Sequence, residues 1–95
     1  MNILKLDNAH SFSIENHDKN VRLVVYNNGV ENVCRKSTLK NIGRFIQSGD
    51  NHLFKGRLQL NKMTDGIGVV VKDSFVGKIT MGDFMNCLEY AKNGI

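Results

Sequence analysis

The sequence says nearly the same thing twice. Residues Ile67 to Lys92, IGVVVKDSFVGKITMGDFMNCLEYAK, read as strand, short turn, strand, helix, and Asn20 to Gln47, NVRLVVYNNGVENVCRKSTLKNIGRFIQ, carry the same order. Val21, Leu23, Val24 and Val25 fall on Ile67, Val69, Val70 and Val71 at an offset of 46, and Phe12 and Ile14 fall on Leu58 and Leu60 at the same offset. Beyond the hairpin the offset becomes 42: Lys36 falls on Lys78, Thr38 on Thr80, Leu39 on Met81, Ile42 on Phe84 and Ile46 on Leu88. A turn at Asn27-Asn28-Gly29 longer than the one at Asp73-Ser74 would account for the change. Either the chain is an internal duplication, or two units of one type share their apolar spacing.

With 95 residues the chain is expected to form a single domain, 1–95, with pseudo-repeats at about 10–49 and 53–94. Units of that length are marginal alone, so both halves should share one core. Alternation places a half-buried strand at Ser11 to Asn16, with Phe12 and Ile14 inward, and β-branched strands at Val21 to Tyr26 and Val30 to Lys36. Asn28-Gly29 is a type I′ hairpin signal. Residues 2–6 are a short first strand or an arm. Ser37 or Thr38 caps a helix whose apolar stripe is Leu39, Ile42, Phe45 and Ile46, and Gly49 supplies a left-handed stop.

The second half repeats the plan. Leu53 to Met63 alternates as one long strand, with Phe54, Leu58 and Leu60 on one face. Asp65-Gly66 turns the chain, Ile67 to Lys72 and Phe75 to Ile79 are strands, and Thr80 with Asp83 caps the last helix. Met81, Phe84, Met85, Leu88 and Ala91 form its buried stripe, and Gly94 ends it. The expected fold is α+β, a βββα-βββα pseudo-repeat with an antiparallel sheet and two helices packed on one face.

That packing leaves the other sheet face open, and alternation names its residues. Arg22, Tyr26, Lys36, Lys55, Arg57, Lys72 and Lys78 make a basic surface with one aromatic, interleaved with Val24, Val70 and Val76. Lys and Arg pair with phosphates, and an aromatic on a sheet stacks a base. The same face could be solvated, or Val24, Tyr26, Val70 and Val76 could bury against another protein or a second copy. Arg35, Lys40 and Arg44 lie near or on the first helix, where a basic face sits against phosphates or, more commonly, against water.

Other chemistries find little footing. His10, His17 and His52 have no metal-ligand spacing, so no metal is expected. The nine acids are scattered over turns and caps with no acid/base pair, so no catalytic residue and no cofactor is assigned. Gly66-Ile67-Gly68 enters a strand rather than a helix and is not a phosphate loop. Cys34 and Cys87 lack CxxC spacing, and a reducing, cytoplasmic compartment fits them. No apolar run is long enough for a membrane span, and the N-terminal stretch lacks the apolar core of a secretory signal. The formal charge of +4, with pI near 9.3, suggests a polyanionic partner and argues against a nucleic-acid mimic. Twelve Asn with no Pro or Trp suggest an AT-rich coding genome, such as many phages and low-GC bacteria have.

Tandem βββα units with an open basic sheet resemble the Pur-type and Whirly single-strand-binding folds. They also look like the double-wing DNA-binding domain of a phage transcription activator. The resemblance covers about residues 10–93 and rests on element order. It implies nucleic-acid binding through the sheet face and frequent dimers. Four strands per helix are usual in those units, whereas three are legible here. The expected function is therefore a small non-enzymatic nucleic-acid-binding protein of phage or mobile-element type, on single-stranded DNA or RNA rather than duplex. The alternative is a small phage-type inhibitor or adaptor that blocks a host protein.

Overall fold

A computed structural model describes residues 3–49 and 51–93. The fold is α+β, built from two four-stranded antiparallel sheets and two helices. The first sheet has strands β1 (Ile3–Lys5), β2 (His10–His17), β3 (Asn20–Asn27) and β4 (Val30–Ser37) in sequential order, followed by helix α1 (Leu39–Gln47). The second has β5 (His52–Leu53), β6 (Leu58–Met63), β7 (Gly66–Val71) and β8 (Ser74–Ile79), followed by α2 (Met81–Asn93). The expected single sheet of three-stranded meanders is thus corrected to two sheets with four strands each. Ile3–Lys5 is a strand because it pairs with Ser11–Ser13.

The fourth strand of the second sheet arises from a break in the long strand expected over Leu53 to Met63. Phe54 takes φ 71° and Gly56 φ 120°, so the chain reverses and His52–Leu53 folds back antiparallel onto Leu60–Asn61. Gly56 was the signal for that break, since a glycine inside an alternating run marks a place where the backbone departs from the strand. Lys55 therefore sits in a loop, and Arg57 stands just before β6, neither of them on a sheet face.

The shift in repeat offset also has a different origin from the one expected. Both hairpin turns contain two residues, Asn28-Gly29 and Lys72-Asp73, and each of these except Gly29 is a non-glycine residue at positive φ. The difference lies in the strands: β3 and β4 have 8 residues each, β7 and β8 have 6. Lys72 consequently occupies a turn and not the strand face assigned to it.

One hydrophobic cluster joins both halves. It contains Phe12, Ile14, Leu23 and Val25 from the first sheet, Leu58, Leu60, Ile67, Val69 and Val71 from the second, and Ile42, Phe45, Phe84, Cys87, Leu88 and Ala91 from the helices. α1 packs against β5, and α2 packs against β2 and β7, so each helix touches the other half of the chain. On α2 the buried face is Phe84, Cys87, Leu88 and Ala91, an i, i+3, i+4, i+7 set. Met85, expected in that stripe, is exposed.

The helix ends differ from expectation on one side. Thr38 caps α1 by accepting the Asn41 N–H at 3.1 Å, and Thr80 accepts the Asp83 N–H at 3.0 Å. At the other end of α1 the cap is Ser48 in extended conformation, and Gly49 is not left-handed. The terminal carbonyls are taken instead by a side chain. Lys62 lies in β6 in phase with Leu58 and Leu60, and its ammonium donates to the carbonyls of Phe45, Ile46 (3.3 Å) and Ser48 (2.9 Å). A cation there also meets the negative end of the helix dipole. The expected role of Gly94 lies outside the described residues. No helix among the described residues is long and apolar enough to cross a membrane.

A basic cleft between the first sheet and the β5–β6 loop

The seven basic and aromatic positions named from the sequence do not form one surface, because they are divided between two sheets, a turn and a loop. On the outer face of the first sheet the cross-strand register sets Glu15 beside Arg22 and Arg22 beside Lys36. Arg22 is bound to Glu15 and Glu31, both at 3.0 Å, and the Tyr26 hydroxyl donates to the second oxygen of Glu15. Burial alone would push the Glu15 carboxyl up, but the hydrogen bonds from Tyr26 and Arg22 and the guanidinium charge outweigh it and hold Glu15 below its usual range. The same hydrogen bond pushes the Tyr26 phenol up to about 12. This patch is electrically self-compensated. Its Val24 is fully buried, with Ser13 and Cys34 as cross-strand neighbours, and offers no contact area.

The second sheet is similar in its charges. Lys78 is held by Asp65 at 2.6 Å, which keeps the Asp65 carboxyl below its ordinary value. Lys72 reaches across to the Asn32 side chain at 3.2 Å. A register shift between Val69 and Val70 leaves Val76 as the extra residue of β8 and turns it into the core cluster. Val76 is therefore corrected from an interface position to a core one. Phe75, opposite Val70, takes the outer position instead and is 60 % exposed, with Met63 at 43 % nearby. Both side chains lie over Gly68: a Cβ built there would meet Met63 Sδ at 2.9 Å and Phe75 Cε1 at 3.0 Å. Val70 is half-buried beneath them.

Four cations with no carboxylate partner among the described residues meet elsewhere. The end of β4, the exposed side of α1 and the β5–β6 loop enclose a cavity of about 460 Å³ lined by Arg35, Lys36, Arg44, Lys55, His52 and Phe54. No carboxylate lines it among the described residues. Lys36, Arg44 and Lys55 have no side-chain partner among those residues. Lys36 and Lys55 belong to the set expected on the sheet face, and Arg35 and Arg44 to the cations near or on the first helix; the structure brings these two groups together. Arg35 stands opposite Leu23 in the β3–β4 register, an inward position where alternation calls for an apolar residue. Arg57 is exposed, with its carbonyl accepting the Lys72 N–H at 2.7 Å.

Four cations around one cavity, with no acid among its described lining residues, make a field that attracts an anion. Among the described residues, no three His, Cys, Asp or Glu side chains gather as a metal site would need. Comparison with protein-family models, with curated proteins and with solved structures finds no match. The resemblance to the Pur-type, Whirly and double-wing folds expected from element order finds no support in these comparisons.

Proposed function

We propose that this protein is a small non-enzymatic nucleic-acid-binding protein, of phage or mobile-element regulator type, acting on single-stranded DNA or RNA rather than duplex in the cytoplasm of its host. The observation that carries this reading is the partition of charge. Arg22 and Lys78 are neutralised by carboxylates, while Arg35, Lys36, Arg44 and Lys55 face a shared cavity with no acid among its described lining residues. Unpaired cations around a concavity bind phosphates through counterion release, and an aromatic ring in the same lining, that of Phe54, suits the exposed bases of a single strand. Cys34 and Cys87 are not joined in a disulfide, which suits a reducing cytoplasm. We read the two ββββα runs as a duplication with both helices on one side. Support comes from register shifts at Val25/Tyr26 and Val69/Val70 and from two-residue turns in both β-hairpins that follow them.

A second reading has its own observation. Phe75 and Met63 expose apolar surface over Gly68 and Val70, as a protein-binding inhibitor, adaptor or homodimer would. Salt separates the two. Filter binding of labelled single- and double-stranded oligonucleotides at two salt concentrations should show tighter single-strand binding that weakens steeply with salt, by about 0.7 in log–log slope per phosphate contact. No binding at low salt would overturn the nucleic-acid reading and leave the apolar patch as the working surface.

A further inference from the structure

Resting on that reading, we infer that the basic cleft is a phosphate subsite in which the Arg35 guanidinium supplies the fork and Phe54 is the positioning residue that holds it. The guanidinium carbon lies 5.1 Å from the Phe54 ring centre, and Nη1 donates to the Lys55 carbonyl at 3.1 Å. Gly56 lies nearby: a Cβ built at that position would stand 3.8 Å from Nη1. The loop that does this is unusual in its backbone, since Phe54 and Gly56 both take positive φ. The strand break thus serves to bring a ring and a carbonyl against Arg35.

A guanidinium has five N–H donors, and one of them is satisfied here. No carboxylate pairs with Arg35 among the described residues, although it sits at an inward register position. The remaining donors therefore face a cavity that already holds the charges of Lys36, Arg44 and Lys55. A phosphate answers the planar fork in two parallel hydrogen bonds, which an ammonium cannot reproduce. Because the aromatic stack and the carbonyl bond already restrict the side chain, little rotamer freedom is lost when the ligand arrives. The cavity, about 460 Å³, has the size of sites that take one nucleotide-sized group.

Two measurements test this, one on each ligand. In the first, ¹⁵N-labelled wild-type protein is titrated with inorganic phosphate and the arginine Nε–Hε signals are followed. The Arg35 signal should shift saturably, and the Phe54 ring signals with it. In the second, binding of a fluorescein-labelled oligothymidylate is measured across salt concentration for Arg35→Lys, Phe54→Leu and Lys36→Gln. Arg35→Lys should weaken binding about tenfold with the salt slope unchanged, because the charge stays and the fork goes. Phe54→Leu should weaken it severalfold, also at constant slope, and Lys36→Gln should lower the slope by about 0.7. If the wild type binds the oligonucleotide and Arg35→Lys and Phe54→Leu bind equally well, the inference is overturned while the nucleic-acid reading stands. If the oligonucleotide does not bind but phosphate still shifts Arg35, the nucleic-acid reading falls and the anion subsite stands. If neither ligand acts, both fall. The wild-type titration decides the matter even where a variant fails to fold.

Discussion

Phe12 and Phe84 lie ring to ring, their centroids 6.2 Å apart and their planes inclined by 26°. One is on the second strand of the chain and the other on its last helix, so the contact ties the first sheet to the final element. Both rings are fully buried. Truncating Phe84 to alanine should cost about 3–5 kcal/mol, from lost transfer energy and the cavity left behind. For so small a domain that approaches the whole folding free energy of about 5–15 kcal/mol. Urea unfolding checks it, and a midpoint close to wild type would show that this contact is peripheral.

The end of α1 gives a second test. Lys62→Met keeps most of the apolar stem but leaves the carbonyls of Phe45, Ile46 and Ser48 without their donor. A loss of about 1–3 kcal/mol is expected for such a charge-assisted set. Gly49→Ala should change stability by less than about 0.5 kcal/mol, because an added Cβ meets nothing within 4 Å and the φ angle is ordinary. A larger cost at Gly49 than at Lys62 would restore the glycine as the helix stop.

Two further glycines should respond in opposite directions. Gly43, inside α1, has open space around a built Cβ, so Gly43→Ala should stabilise by roughly 0.5–1 kcal/mol through the chain entropy it removes. Gly66 is different, since its Cβ would stand 2.3 Å from the Ile79 carbonyl oxygen. Gly66→Ala must push β7 away from the end of β8 and should lower the melting temperature. Thermal melts of the two variants give the comparison.

The Glu15–Tyr26–Arg22 cluster makes stability depend on pH at both ends. Glu15 has a lowered carboxyl pKa in the fold, so its contribution is present above the ordinary carboxylate value of 4.5 and is lost as pH falls through the folded value. Tyr26 is raised, so its contribution is complete below the ordinary 10.0 and is lost as pH rises through about 12. Glu15→Gln should flatten the acid limb of a stability–pH curve. Tyr26→Phe should remove a tyrosinate absorbance step near 12.

Charge pairing separates two lysines that fall on each other at an offset of 42 in the sequence. Lys36→Gln should weaken oligonucleotide binding and reduce its salt slope, because that ammonium is unpaired at the cleft. Lys78→Gln should leave both nearly unchanged, because its charge is compensated by Asp65. Equal effects of the two substitutions would return the binding site to the sheet faces.

The sequence by itself determined whatever depends on near neighbours along the chain. Strand alternation marked Phe12, Ile14, Leu23, Val25, Leu58 and Leu60 as inward, and all of them are in the core. Asn28-Gly29 announced its turn, and Thr38 and Thr80 their caps, because each acts within four residues of itself. The tertiary structure decided what depends on partners far away in sequence. A single extra residue at the Val69/Val70 register shift turned Val76 inward and Phe75 outward, since a one-residue slip reverses the face of a strand. The reversal at Phe54 and Gly56 carried Lys55 off the sheet and placed it beside Arg35 and Arg44. Of the basic cleft, Arg35, Lys36, Arg44 and Lys55 were all legible as cations, but not as neighbours of one cavity. Whether a lysine or arginine is paired or free is set by which carboxylate the folded sheets bring within about 3 Å of it, a distance that alternation and composition do not encode.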